Sequence, residues 1–253
     1  MRLHQKTAIV TGGGKGIGKV YSERLAQEGA NVVVADIDEA AAQETADVIR
    51  QNGGKAFAIR VDVSDEESVY GMARQAVETF GTIHILINNA SLMSTLPRRP
   101  WVDIPVDEWD QVMQVNVKGL FLCSKAVYPY MKEQKYGKIV NISSSRVWDG
   151  TPNRLHYTSS KAAVIGFTRA LAREVGDDSI SVNAVTPGFT ASETQVSSSD
   201  PNYLKNHPYN QTRAFKRMQV PEDLVGTVVF LSSSDSDYIT GQTINVDGGA
   251  SMH

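Results

Sequence analysis

Thr11-Gly12-Gly13-Gly14-Lys15-Gly16-Ile17-Gly18 stands between an apolar run, Thr7-Ala8-Ile9-Val10, and a helical pattern over residues 20–28. Glycines at a strand-to-helix turn let a pyrophosphate approach the backbone, and the helix N-terminus behind them offers free N–H groups and partial positive charge. The spacing Gly12-x3-Gly16-x-Gly18 differs from the G-x-G-x-x-G fingerprint, and alone it also suits a turn without ligand. Asp36 favours the ligand: it ends the next apolar run, 18 residues past Gly18, where a carboxylate can accept a ribose 2′-hydroxyl.

Outward from this turn, short β-branched runs recur at 31–35, 56–61, 83–87, 138–142, 181–184 and 242–246. Helical patterns separate them at 39–51, 66–80, 109–134 (one long helix), 158–175 and 222–232. Runs buried on both faces, each followed by a helix, predict an α/β fold: a Rossmann-type, doubly wound, seven-stranded parallel sheet with helices on both faces. No linker or repeat divides residues 1–253, which read as a single domain. The longest irregular stretch, about 188–219, reads as a substrate lid.

The balance of 25 Lys+Arg against 28 Asp+Glu, net charge -3, argues against nucleic-acid binding and against a polybasic membrane-surface role. No apolar run approaches the ~18 residues of a spanning helix, and residues 1–11 lack the apolar stretch of a secretory signal. The single cysteine, Cys123, allows no intrachain disulfide and points to the reducing cytoplasm. The five histidines are scattered without ligand spacing, so no metal site is expected.

Further motifs follow in order: Asn88-Asn89-Ala90, Asn116-Val117-x-Gly119, Asn141-Ile142-Ser143-Ser144, Tyr157-x3-Lys161, Pro187-Gly188, Tyr238-Ile239-Thr240-Gly241-Gln242 and Val246-Asp247-Gly248-Gly249. Together they resemble the short-chain dehydrogenase/reductase family, in its single-domain form of about 250 residues. The resemblance implies hydride transfer between a nicotinamide cofactor and a secondary alcohol/carbonyl pair. Tyr157 would be the acid/base. A phenol titrates near 10, so it needs a cation to ionise near neutrality. Lys161, one helical turn on, lies on the same face. By resemblance Lys161 also holds the nicotinamide ribose, Ser144 hydrogen-bonds the substrate oxygen, and Asn116 holds a water that links Lys161 to solvent. Ser143 and Ser145 compete with Ser144; the thirteen-residue offset from Tyr157 selects Ser144.

For the cofactor, Gly12, Lys15, Gly16, Ile17 and Gly18 form the phosphate turn. The resemblance adds Asp62 and Val63 at the adenine, Asn89 and Ala90 along its ribose, and Pro187, Gly188, Thr190 and Ser192 near the nicotinamide. Many relatives carry threonine where Ser192 stands, and glycine where Ser91 stands. Asp36 would repel a 2′-phosphate by a few kcal/mol at an effective dielectric near 20, against roughly 0–1 kcal/mol of attraction from an exposed Lys15. NAD is therefore expected over NADP.

Substrate contacts should come from the loops at 91–101, 145–156 and 188–213. Met93 and Trp148 lead, with Leu96, Leu155, His156, Tyr203 and Tyr209 as further candidates for a hydrophobic or aromatic pocket. Arg98, Arg99, Arg146 and Arg154 could meet an acidic group, though solvation is the plainer reading. Gly150-Thr151-Pro152-Asn153 and residues 164–169 look like those of the family's NAD-dependent aryl-alcohol types, such as the pyridoxal and 1-phenylethanol dehydrogenases. Two alternatives stay open. A 3-oxoacyl-thioester reductase would favour NADPH and a basic surface, against Asp36 and the net charge. A non-catalytic NAD-binding sensor or scaffold would have no use for the Tyr157–Lys161 pair. The resemblance also implies a homotetramer.

Overall fold

The computed structural model describes residues 1–193 and 209–252. Seven strands form one sheet in the order β3-β2-β1-β4-β5-β6-β7. They are β1 (Thr7–Thr11), β2 (Asn31–Asp36), β3 (Lys55–Arg60), β4 (Ile85–Asn88), β5 (Gly137–Ile142), β6 (Ile180–Pro187) and β7 (Thr243–Val246). Every pairing is parallel, as the uninterrupted apolar runs require.

Alternation along each strand feeds two cores. Val10, Val34 and Ile87 face one side, with Leu25, Ala46 and Val228 packed on them. Ile9, Val33 and Leu86 face the other, against Met72, Leu122 and Val127. The first layer holds α1 (Gly16–Gln27), α2 (Glu39–Gln51) and a late helix, Glu222–Ser232; the second holds α3 (Glu66–Phe80) and α5 (Gly119–Glu133). Each buried valine, leucine or isoleucine stabilises the fold by about 1.5–3 kcal/mol.

Helix starts follow their caps. Asp38 accepts the Ala41 N–H at the head of α2, and Asp65 accepts the Ser68 N–H at the head of α3. Helix α1 differs: no side chain caps it and its first turn holds no acid. Its start is left for an anion from outside the helix.

The expected single helix at 109–134 is present but broader and interrupted. It runs as α4 (Val106–Met113), a π-helical turn (Gln114–Lys118) and α5. Apolar periodicity carries no signal for a one-residue widening of the turn, which often marks a functional position. Two further helices stand near the site, α6 (Arg146–Asp149) and α7 (Leu155–Glu174). Of the segment read as a lid at 188–219, residues 194–208 lie outside the described residues, Tyr203 and His207 with them, as does His253. Among the described residues no helix is long and apolar enough to cross a membrane.

Candidate active site

Strand order reverses between β1 and β4, and a parallel sheet opens a crevice at the carboxyl ends of such strands. A cavity of about 430 Å³ lies there. Its lining includes every residue that the sequence reading assigned to the cofactor, from Gly12 at the end of β1 to Ser192 beyond β6, together with Ser144 and Met93.

The glycine turn is closed by neighbours. Asn89 Nδ2 donates to the Thr11 and Gly12 carbonyls, each at 3.0 Å. A Cβ on Gly18 would stand 1.9 Å from the Gly12 carbonyl oxygen, and one on Gly12, where φ is +61°, 2.9 Å from Ala90 Cα. Asp36 accepts the Gly14 N–H at 2.9 Å on one oxygen and the Asp38 N–H at 3.0 Å on the other. Each oxygen keeps a lone pair for a hydroxyl. Lys15 is drawn aside: Nζ pairs with Asp38 at 2.5 Å, and that pairing raises the ammonium's pKa and lowers the carboxyl's.

The reacting end is built from β5, its following loop and α7. Tyr157 is buried against Leu96 and Val112, with Leu92 and Met93 beside them. Ser144 lines the cavity with it. Ser143, the neighbour that competed in the sequence reading, instead donates to the Lys161 carbonyl at 2.7 Å. Lys161 Nζ donates to the Ile142 carbonyl at 2.8 Å and lies 5.7 Å from the centre of the Tyr157 ring. Burial pushes Lys161 down to about 7. Burial also raises the Tyr157 phenol, opposed first by the neighbouring Ser144 hydroxyl and then by the charges of Arg146 and Arg154. The Lys161 ammonium, expected to favour the phenolate together with an oxidised nicotinamide, is not among these charges. Its charge is costly in so dry a place and is turned to a carbonyl.

Asn116 sits in the π-helical turn. Its side chain accepts the Leu92 N–H at 2.8 Å and donates to Ser160 Oγ at 3.0 Å, tying the turn to the β4 loop and to α7. A second cavity of about 10 Å³ is lined by both Asn116 and Lys161. That is room for about one water.

Several substrate candidates are placed elsewhere. Trp148 is absent from the lining; its indole N–H donates to Thr186 Oγ1 at 3.3 Å. His156 is fully buried with Nε2 3.1 Å from Glu108 Oε1, and Arg99 meets the same carboxylate at 3.3 Å. Leu155 points outward, and Leu96 supports Tyr157 from behind. Met93, Arg98, Arg146 and Arg154 do line the cavity. Leu92 and Phe189 join them; both flank motifs that sequence reading recognised, and adjacency to those motifs was the available signal. Ser91 Oγ is buried at the cavity without a protein partner.

A family model described as enoyl-(acyl carrier protein) reductase matches residues 12–251. The chain belongs to the short-chain dehydrogenase/reductase family. It is 36% identical over 254 residues to a hydroxy(phenyl)methylsuccinyl-CoA dehydrogenase subunit of Thauera aromatica, covering 100% of this chain and 99% of that one. It is 38% identical to a 3-oxoacyl-(acyl-carrier-protein) reductase of Synechocystis, over 99% of this chain and 98% of that one. Among solved structures, a 7α-hydroxysteroid dehydrogenase complexed with NADH and 7-oxo-glycochenodeoxycholic acid superposes with a TM-score of 0.92 at 33% identity, covering 100% of this chain and 96% of that one. The chain is accordingly an oxidoreductase of CH–OH and carbonyl groups, with a fold that binds a nicotinamide cofactor.

Proposed function

We propose that the chain is an NAD(H)-dependent dehydrogenase/ketoreductase of a secondary alcohol and its carbonyl, with Tyr157 as acid/base. One observation carries this reading: Ser144, Tyr157 and Lys161 line the same cavity as the glycine turn and Asp36. The residues present fit a dinucleotide. The glycine turn leaves no room for side chains, the α1 start lacks an acid, and the Ser91 hydroxyl awaits a partner.

A bound nicotinamide accepts or supplies the hydride. Gly12, Lys15, Gly16, Ile17 and Gly18 would hold its pyrophosphate, Asp36 the adenine ribose, Asp62, Val63, Asn89 and Ala90 the adenosine end, and Pro187, Gly188, Thr190 and Ser192 the amide end. Ser144 orients the substrate oxygen and stabilises charge that develops on it. Tyr157 Oη takes the hydroxyl proton in oxidation and returns it in reduction. Lys161 holds the nicotinamide ribose, and Asn116 positions a water that passes the proton outward.

NAD is preferred to NADP in this reading, because Asp36 faces the ribose and Lys15 is engaged by Asp38. The alternative 3-oxoacyl-thioester reductase has the support of the Synechocystis relative; the aromatic type has that of the Thauera relative. Spectrophotometry at 340 nm decides, with NAD and NADP against aryl alcohols and a 3-hydroxyacyl thioester. Silence across that panel with tight NAD binding would favour the sensor. We also infer a cytoplasmic homotetramer. Trp101 and Val106 are 70% and 74% exposed and Phe121 48%, apolar surface suited to a second copy. Light scattering that shows a stable monomer would contradict it.

A further inference from the structure

Ser91 lines the cavity just beyond the end of β4, between two landmarks of the site. On one side Ala90 abuts the phosphate turn: a Cβ on Gly12 would stand 2.9 Å from Ala90 Cα. On the other side Leu92 and Met93 pack against Tyr157. The main chain is pinned both before and after Ser91. The Ala90 N–H donates to Thr11 Oγ1 at 3.1 Å. The Leu92 N–H donates to Asn116 Oδ1 at 2.8 Å, and the Leu92 carbonyl accepts from Asn116 Nδ2 at 3.3 Å. A segment held at both ends leaves the Ser91 side chain little freedom to turn elsewhere.

Other hydroxyls of the lining are satisfied by main chain. Thr190 Oγ1 donates to the Gly188 carbonyl at 2.9 Å, and Ser143 Oγ to the Lys161 carbonyl at 2.7 Å. Ser91 Oγ is buried and meets no protein partner. A buried hydroxyl left unpaired is costly, and a glycine at this position would avoid the cost. The side chain therefore calls for a partner that enters the cavity.

A dinucleotide with its pyrophosphate on the glycine turn and its nicotinamide beside Tyr157 carries one group between the two, the ribose of its nicotinamide half. We propose that Ser91 Oγ hydrogen-bonds a hydroxyl of that ribose and so adds a second anchor to Lys161. The proposal rests on the nicotinamide reading of the cavity and assigns it one more binding residue. A serine hydroxyl both donates and accepts, as a ribose hydroxyl does, so the two pair in either sense. The pyrophosphate is the poorer match, because the nearest neighbours of Gly12 in the turn are Asn89 and Ala90. Ser91 thus acts on cofactor affinity, and proton transfer stays with Tyr157.

The test is titration calorimetry of the wild type, Ser91→Ala and Ser91→Gly with NADH, ADP-ribose and ADP. NADH and ADP-ribose contain the second ribose; ADP stops at the pyrophosphate. Each variant should bind NADH and ADP-ribose about 3- to 10-fold more weakly than the wild type, the size of one neutral hydrogen bond. Its affinity for ADP should be unchanged, which also shows that the variant is folded. Unmoved affinities for NADH and ADP-ribose would overturn the proposal. So would an equal loss for ADP, which puts the hydroxyl on the pyrophosphate, or a loss for NADH alone, which puts it on the nicotinamide. A raised KM for the alcohol with NADH affinity unmoved would put it on the substrate and overturn the proposal too. If the variants lose the two ribose-bearing ligands and the wild type oxidises no alcohol, the dehydrogenase reading fails and the ribose contact stands. A wild type that binds none of the three ligands would overturn both.

Discussion

Lys161 donates its ammonium to the Ile142 carbonyl over 2.8 Å, one turn of α7 beyond Tyr157 and with almost no access to solvent. A cation held by one carbonyl in a dry place gives up its proton readily. Burial takes Lys161 from 10.5 down to about 7. Between those two values the unfolded chain binds a proton that the folded chain lacks, so stability rises with pH across that window and is flat below it. Lys161→Met removes this titration. The melting temperature of the wild type should climb between about pH 7 and pH 10 relative to the variant. Parallel curves for the two proteins would show that Lys161 is not depressed.

Asp36 carries the cofactor preference. Its loss removes the repulsion of a 2′-phosphate and the acceptor for a ribose hydroxyl together. Asp36→Ala should lower the ratio of kcat/KM for NAD over NADP by about tenfold or more, which corresponds to one charge-assisted hydrogen bond. A wild type that prefers NADP contradicts this assignment.

Gly18 is the tightest point of the phosphate turn. A methyl group there would stand 1.9 Å from the Gly12 carbonyl and 2.6 Å from Asn89 Nδ2, so backbone must move. Gly18→Ala should weaken NADH binding by at least about tenfold and cost about 1–3 kcal/mol of stability. NADH fluorescence and thermal denaturation read both. Unchanged values would mean that the turn is not the pyrophosphate site.

Much of the fold was legible before any coordinates. Ala8, Ile9 and Val10 are apolar without alternation, and the structure buries all three in a strand with helices on either side. Helix α1 begins at Gly16, four residues before the apolar pattern starts, because glycines hide the first turn. The π-helical turn at Asn116 was not legible, since no local pattern encodes it. The site residues came from the family resemblance that the motifs carry, in the order in which they close the strands. The substrate loops were another matter. Trp148 looked like a pocket aromatic, yet Thr186 on β6 captures its N–H; His156 is claimed by Glu108, 48 residues away in sequence. Such partners are set by tertiary packing, as are the carbonyls that receive Arg146 and Arg154.

Asn116 links the π-helical turn to Leu92 and Ser160. Asn116→Ala removes both ties and one wall of the small cavity beside Lys161. It should reduce kcat by about 10- to 100-fold, within the usual range for proton-transfer groups, while the NADH dissociation constant changes little. Solvent isotope effects on kcat should shift as well, which a purely structural role would not produce. A variant with wild-type kcat removes Asn116 from the proton path.

Proton transfer at Tyr157 is the centre of the account, and Tyr157→Phe tests it most directly, because only the hydroxyl is removed from a ring already packed on Leu96 and Val112. Oxidation of a secondary alcohol followed at 340 nm should fall by about 10²- to 10⁴-fold, with NADH still bound at nearly wild-type affinity. Turnover within a few-fold of wild type would contradict the account.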